Sequence, residues 1–162
     1  MISSVTVAAL LWTVALSSGL IAGIYFAFSA FIMQAFGKID TSQSVAAMNA
    51  INETILRSWF MPLFFGSTIA SVVLLLVALA HWGDAGSGLT LTAGAIYFIG
   101  MFVCTAVFNV PLNDLLAGLN EDNTNVEEVW SRYRKAWTRW NHLRTVSSLV
   151  TCGLCIWLLS AQ

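Results

Sequence analysis

Two stretches of this chain place hydrogen-bonding and charged side chains at the edge of hydrocarbon-length runs. One is Asn109-Val-Pro-Leu-Asn113; the other is Trp137-Thr-Arg-Trp-Asn141-His-Leu-Arg144. In the second, steps of four, three and four residues set Trp137, Asn141, Arg144 and Ser148 on one face of a helix, with Tyr133 (or Arg134) a turn earlier. Trp140 and His142 point elsewhere. In the first, Thr105, Asn109 and Asn113 share a face at steps of four, with Pro111 between the two amides. A proline inside a helix removes one hydrogen bond and clashes with the preceding turn, at about 3 kcal/mol. A kink is therefore expected here, leaving the Val107 carbonyl without its partner. Such donors suit an oxygen that gains negative charge. Arg144 with Asn109, Asn113 and Asn141 could stabilise an enolate or phenolate as an oxyanion hole does.

The elements that must position these groups are membrane helices. The chain is 58% hydrophobic and 9% charged, where soluble domains average about 25% charged, and 162 residues cannot hide that much apolar surface from water. Spans are predicted over 5–33, 59–80, 89–112 and 141–161, each close to or above the roughly 20 residues that cross a bilayer. Residues 1–162 then form one all-α transmembrane domain, an integral membrane four-helix bundle. No charge precedes Lys38, and the first apolar run is too long, and lacks the basic start, for a signal peptide. It reads as a retained span. Between spans one and two, Val45, Met48, Ile51 (or Asn52) and Ile55 recur at three to four residues. This is the pattern of a short interfacial helix, with Thr41 or Ser42 as its cap. Pro62 falls in the first turn of span two, where it is tolerated. A Gly-rich turn over 81–88 makes spans two and three antiparallel neighbours. Thr124-x-x-Glu127 and Asn125-x-x-Glu128 have capping-box spacing. The last helix is thus predicted to start there, extended into the cytoplasm, and to run straight into the membrane.

All seven Lys and Arg residues lie in, or at the edge of, the connections 34–58 and 113–140. The positive-inside rule puts both connections in the cytoplasm and both termini outside, with the plasma (inner) membrane as the expected location. The same end receives Tyr25 and Ser29 from span one, and Asn52, Arg57, Ser58 and Trp59 from the approach to span two. The Gly19–Gly23 step permits close helix contact. The opposite end carries little more than Gly, Ser, His81 and Asp84. That asymmetry is what marks a site. Plainer roles compete with it. Trp59, Trp137 and Trp140 suit an interfacial aromatic belt, Arg144 could snorkel to water, and the asparagines could join helices. An arginine at the bilayer centre costs some ~2.5–3.5 kcal/mol, so a buried one needs partners.

Other chemistry is pruned by what is missing. A net charge of −1 without a basic tail or Gly-rich phosphate loop points away from nucleic acid. His81 and His142 fall on opposite sides of the membrane, which separates the two imidazoles a bis-histidine haem needs. No E-x-x-H pair suggests a di-iron site, and no carboxylate inside a span suggests a proton relay. Cys104, Cys152 and Cys155 are an odd set in apolar surroundings, read as free thiols rather than metal ligands. No metal and no cofactor are expected. What remains is a pocket for a flat apolar molecule carrying a phenol or carbonyl oxygen. Membrane lipids are the other expected partners, and a homo-oligomer is compatible with the sequence.

Asn109-Val-Pro-Leu-Asn113 followed by Trp137-x-x-Trp140-Asn141-x-x-Arg144 resembles the signature of the anthrone oxygenase family, small four-span membrane proteins. Gly23-Ile-Tyr-Phe-Ala-Phe-Ser29 and Met48-Asn-Ala-Ile-Asn52 also fit, so the resemblance covers nearly the whole chain. It implies a membrane-embedded, cofactor-independent oxidoreductase that turns an anthrone, or a similar activated phenolic, into a quinone with O2. Under it Asn109, Asn113, Asn141 and Arg144 are catalytic and hold the enolate oxygen. Tyr25 and Trp137 stack on the rings, Ser29, Asn52 and Trp59 complete the substrate site, and His142 and Asp114 are candidate bases. The alternative is a non-catalytic membrane protein: an accessory subunit, or a lipid- or quinone-binding bundle. A small transporter comes third.

Overall fold

Four helices are long and apolar enough to cross a membrane: Val5–Phe36, Phe60–Ala80, Ser87–Ala117 and Val126–Ser160. They are seen in a computed structural model that describes residues 4–119 and 125–161. The first rod is α1 (Ser4–Ala27), a π-helical turn π1 (Phe28–Ile32) and α2 (Met33–Phe36). The amphipathic connection is α3 (Thr41–Leu56) and the second rod is α4 (Phe60–Ala80). The third rod runs through α5 (Ser87–Tyr97), π2 (Phe98–Val103), π3 (Thr105–Asn109) and α6 (Val110–Ala117), and α7 (Val126–Ser160) is the fourth. No strand occurs among the described residues. The all-α four-helix bundle read from the sequence is therefore the observed one.

Local details depart from the expectations in instructive ways. The third rod continues to Ala117 rather than stopping at 112. Pro111 lies within an unbroken run of helical turns from Thr105 to Ala117. The turn before it widens to π geometry, where the Val110 N–H donates to the Thr105 carbonyl, and the proline falls in the first turn of α6. There the absence of its N–H costs little. At α3, Asp40 is the cap residue, extended at φ −56° and ψ 144° and without a side-chain cap bond. Thr41 and Ser42 are already helical. Ser44 ties the helix down instead, its hydroxyl donating to the Phe36 carbonyl at 2.6 Å. Asn125 caps α7, also without a side-chain bond; Thr124 of the other capping box lies outside the described residues.

Side chains from all four rods fill three layers. Leu11, Leu74, Ala93 and Leu158 pack near the termini. Ile21, Phe64, Tyr97 and Met101 occupy the middle. Met33, Met48, Leu116 and Trp130 pack at the end carrying the long connections. Small residues set the spacing between rods. Gly100 lies against Ser147 with no room for a Cβ, and a Cβ on Gly94 would stand 2.8 Å from the Ser71 carbonyl oxygen. Of the Gly19–Gly23 pair only Gly19 meets a neighbour, Cys152 Sγ on α7 at 3.3 Å from a Cβ position. Two glycines at positive φ, Gly83 (103°) and Gly86 (82°), turn the chain between the second and third rods. α7 has 35 residues. At about 1.5 Å per residue it far exceeds the ~30 Å of a hydrocarbon core, so its first turns stand beyond the apolar layer.

Candidate functional site

The buried stripe of α7 is the one its spacing predicts: Tyr133, Trp137, Asn141, Arg144 and Ser148 are all inside. The residues placed elsewhere behave as a membrane-edge collar. His142 is exposed. Trp140 stacks on Phe108 with ring centroids 3.7 Å apart and planes 7° from parallel, and the Arg139 guanidinium lies 5.8 Å from the Trp140 ring.

Asn141 joins the first and last rods. Its Nδ2 donates to the Tyr25 carbonyl at 2.6 Å and to Ser29 Oγ at 2.7 Å, while its Oδ1 accepts from Arg144 Nη2 at 2.7 Å. A carbonyl only accepts and a guanidinium only donates, so these contacts fix which way the amide points. Tyr25 lies in the last turn of α1 and Ser29 in the widened π1 turn that follows. Such turns often occur at functional sites.

Arg144 is 4% exposed. Its guanidinium carbon lies 4.2 Å from the Tyr25 ring centroid and 5.1 Å from that of Trp137. Nη1 donates to Thr105 Oγ1 at 3.4 Å, and that hydroxyl donates onward to the Met101 carbonyl at 2.7 Å. Nε has no hydrogen-bond partner. The ion pairs among the described residues are Arg57–Glu53 and Arg132–Glu128, both on the surface. Among the described residues, then, no carboxylate neutralises the buried Arg144 cation. Amide oxygen, hydroxyl and aromatic faces hold it in place.

Asn113 is oriented from the same helix. Its Oδ1 accepts from Trp137 Nε1 at 2.9 Å and from the Tyr133 hydroxyl at 3.0 Å. An indole N–H can only donate, so the amide oxygen is turned towards α7 and the NH2 group away from it. Asn109 shares that face, donating from Nδ2 to the Trp137 carbonyl at 3.4 Å, and its Oδ1 is buried without a partner.

Beside these groups lies a cavity of about 690 Å³, within the range of pockets that hold drug-sized ligands. The first three rods wall it, α7 contributes Trp137 and Arg144, and α3 covers it with Met48, Ile51, Asn52 and Ile55. Its aromatic lining falls into two sets of touching rings. Tyr25 meets Phe60 at 6.3 Å, Phe60 stacks on Phe64 at 5.9 Å, Phe64 meets Phe102 at 5.7 Å, and Phe28 meets Trp137 at 5.4 Å. Arg144, Thr105, Asn113 and Asn52 supply polar groups, the last with Nδ2 buried and unpartnered. Glu53 and Asp114 also line it and are exposed.

Of the residues read from the sequence as a site, Arg144, Asn113, Tyr25, Asn52 and Trp137 reach the lining. Asn109, Asn141 and Ser29 do not; their hydrogen bonds brace the residues that do. Trp59 is placed elsewhere altogether. It is 89% exposed, because the break between α3 and α4 turns its indole outward, and it belongs with the collar. Of the two candidate bases, Asp114 is on the lining and His142 is not. Thr105 and the phenylalanine wall were not singled out as site residues, although Phe60/Phe64 and Phe98/Phe102 repeat at the one-turn spacing that marks a helix face. Among the described residues no three His, Cys, Asp or Glu side chains gather to hold a metal ion.

Residues 56–154 match a family model described as anthrone oxygenase. The matched segment runs from the end of α3 into the last turns of α7, more than half of the chain. No curated protein and no solved structure matches. The match is narrower than the resemblance drawn from the sequence. Tyr25, Ser29 and Asn52 lie outside it, so their place in the site rests on geometry. Asn109, Asn113, Trp137, Asn141 and Arg144 all fall inside the matched segment, and the chain belongs to the anthrone oxygenase family.

Proposed function

We propose that the protein is a membrane-embedded oxygenase that oxidises a planar, apolar, activated phenolic of the anthrone kind with molecular oxygen. One observation carries this reading: on the wall of an aromatic cavity Arg144 is a buried cation without a counter-ion among the described residues. A neutral ligand leaves that charge uncompensated, whereas a ligand that becomes an anion during reaction compensates it. Interactions that strengthen as charge develops lower the barrier. At 4 Å an opposite charge gains about 4 kcal/mol in a partly desolvated site against about 1 kcal/mol in water, a difference of roughly two orders of magnitude in rate.

The chemistry distributes over named groups. The ring system lies along Tyr25, Phe60, Phe64 and Phe102, with its oxygen towards Arg144 and the NH2 of Asn113. Asp114 takes a proton from the doubly activated CH2, and the resulting carbanion delocalises onto the oxygen as an enolate. The carbanion carbon bonds to O2 and a proton returns, giving a hydroperoxide. Its O–O bond breaks with loss of water and leaves a carbonyl. One O2 is consumed and one water released, with O2 as the only co-reactant, and no organic cofactor enters the scheme. Asn141 and Ser29 touch no reacting atom and act by aiming Arg144. The end bearing all the basic residues faces the cytoplasm in this proposal; a carboxy-terminal reporter active only in the cytosol would refute that orientation.

The test is direct. Purified protein in nanodiscs should convert emodin anthrone to the quinone well above the spontaneous rate, consuming one O2 per quinone formed. Stoichiometric binding of the quinone without any acceleration would replace the enzyme by a binding protein.

A further inference from the structure

The cavity has a side wall that is itself outer surface. On the third rod Ala106 and Val110, one turn apart, both line the cavity and are exposed; Val110 is 43% exposed. On the neighbouring elements, Phe65 of α4 and Leu56 at the end of α3 also line the cavity while 47% and 65% exposed. The accessible surface these four residues keep, shared between the cavity and the outside, sets them at the cavity's rim. The opening is therefore a slot between the third rod and the α3–α4 corner. It is floored where Phe65 meets Phe102, ring centroids 6.5 Å apart.

Depth decides what the slot opens onto. Val110 lies about two turns, or ~10 Å, inside the end of the third rod at Ala117, and Ala106 one turn deeper. Phe65 lies more than a turn inside α4. These positions belong to two of the helices long and apolar enough to cross a membrane; with these taken as spans, hydrocarbon surrounds the protein there. At the outer end of the same slot the lining changes to Glu53 and Asp114. The slot is thus apolar where it faces acyl chains and acidic where it reaches water.

We infer that the cavity is loaded sideways, from the bilayer, between Ala106/Val110 and Phe65/Leu56, and that its ligands are neutral, flat aromatics dissolved in the membrane. This rests on the cavity being the substrate site. Anions in water meet Asp114 and the Glu53–Arg57 pair at the lip and must shed their hydration to pass the apolar lining before they reach the Arg144 charge. A neutral phenolic in the membrane meets only apolar side chains, and becomes an anion only after it is inside. The quinone product, also neutral, leaves by the same slot.

The experiment measures binding rather than turnover. The protein is placed in nanodiscs preloaded with neutral 1,8-dihydroxyanthraquinone, and quenching of indole fluorescence is followed in time. Val110→Trp or Ala106→Trp narrows the slot, so association and dissociation should slow together, by about tenfold, with Kd changed by no more than about threefold. Val107→Trp and Leu115→Trp, on the same rod and exposed but off the lining, should leave both rates unchanged. Equal slowing by the control variants, or unchanged rates in both slot variants, overturns the route. A second arm needs no substitution: water-borne anthraquinone-2-sulfonate should bind the wild-type protein at least about tenfold more slowly than the neutral quinone. Equal rates would place the access at the aqueous lip. Failure of the neutral quinone to bind at all would instead remove the substrate-site reading, and the route with it.

Discussion

Replacing Arg144 by methionine separates a catalytic cation from a structural one, because the two roles predict opposite outcomes. The substitution keeps an unbranched side chain of comparable length in a site that is 4% exposed. It removes the bond from Nη2 to Asn141 Oδ1, and an orphaned buried acceptor costs about 1–3 kcal/mol. It also removes the ring contacts to Tyr25 and Trp137, worth roughly 1–2 kcal/mol each when desolvated. Against this, it relieves the desolvation of a charge that no carboxylate pairs with, a cost of several kcal/mol. The two sides nearly cancel, so thermal unfolding in detergent should shift by no more than about 2 kcal/mol. Turnover should not survive so well. Loss of a donor aimed at a developing oxyanion lowers kcat by about 10²–10³-fold, or ~2.7–4 kcal/mol. Quinone absorbance measured above the spontaneous background reads this out. A variant that unfolds would make Arg144 a packing residue. A folded variant that keeps a third or more of wild-type turnover would remove the oxyanion from the scheme.

Other substitutions probe the surrounding parts. Asn141→Asp puts a carboxylate beside Arg144 and also removes the NH2 that donates to the Tyr25 carbonyl and Ser29 Oγ, so it should destabilise by about 1–3 kcal/mol and, in the folded protein, lower kcat about 10²-fold with KM little changed; unchanged kcat would sink the role of the Arg144 charge. Asp114→Asn should lower kcat by about 10²–10⁴-fold, the usual contribution of a general base, whereas Glu53→Gln, whose partner is Arg57 at 3.5 Å, should not; equal effects would point to charge at the lip rather than proton transfer. Gly100→Ala drives a Cβ into Ser147 and should destabilise by about 1–3 kcal/mol. Gly23→Ala meets open space and should be silent in the same unfolding assay.

How much of this was legible in the chain differs from element to element. The α7 stripe was legible because four polar or aromatic residues keep helical spacing through an apolar run, and a straight helix preserves that spacing. The four spans were legible from hydropathy, and α3 from its amphipathic period. The π turns were not, because a widened turn changes backbone pairing without any particular side chain to announce it. With them went the way the third rod absorbs Pro111. Trp59 and Trp137 look alike in sequence, each at the mouth of a span. What separates them is that Trp137 follows the α7 stripe, while Trp59 falls at a helix break whose direction only packing sets. The roles of Asn141 and Asn113 also emerged only in three dimensions. One amide spends its bonds on the first rod and Arg144; the other is turned by Trp137 and Tyr133 so that its NH2 group stays available.

The clamp at Asn141 has a consequence for how the protein is made. It joins the first rod to the last, the two most distant in the order of synthesis, and Arg144 finds its partners only when both are in place together with Thr105 of the third rod. Until α7 enters the membrane, the three earlier rods have no cation to enclose. Until they are there to receive it, α7 carries an arginine and an asparagine into lipid with nothing to bond. The polar centre is therefore complete only once the fourth rod is in place beside the first and third. A chain truncated before Asn141 ends as three apolar helices with an unclosed seam, a substrate for membrane quality control rather than a partly active protein.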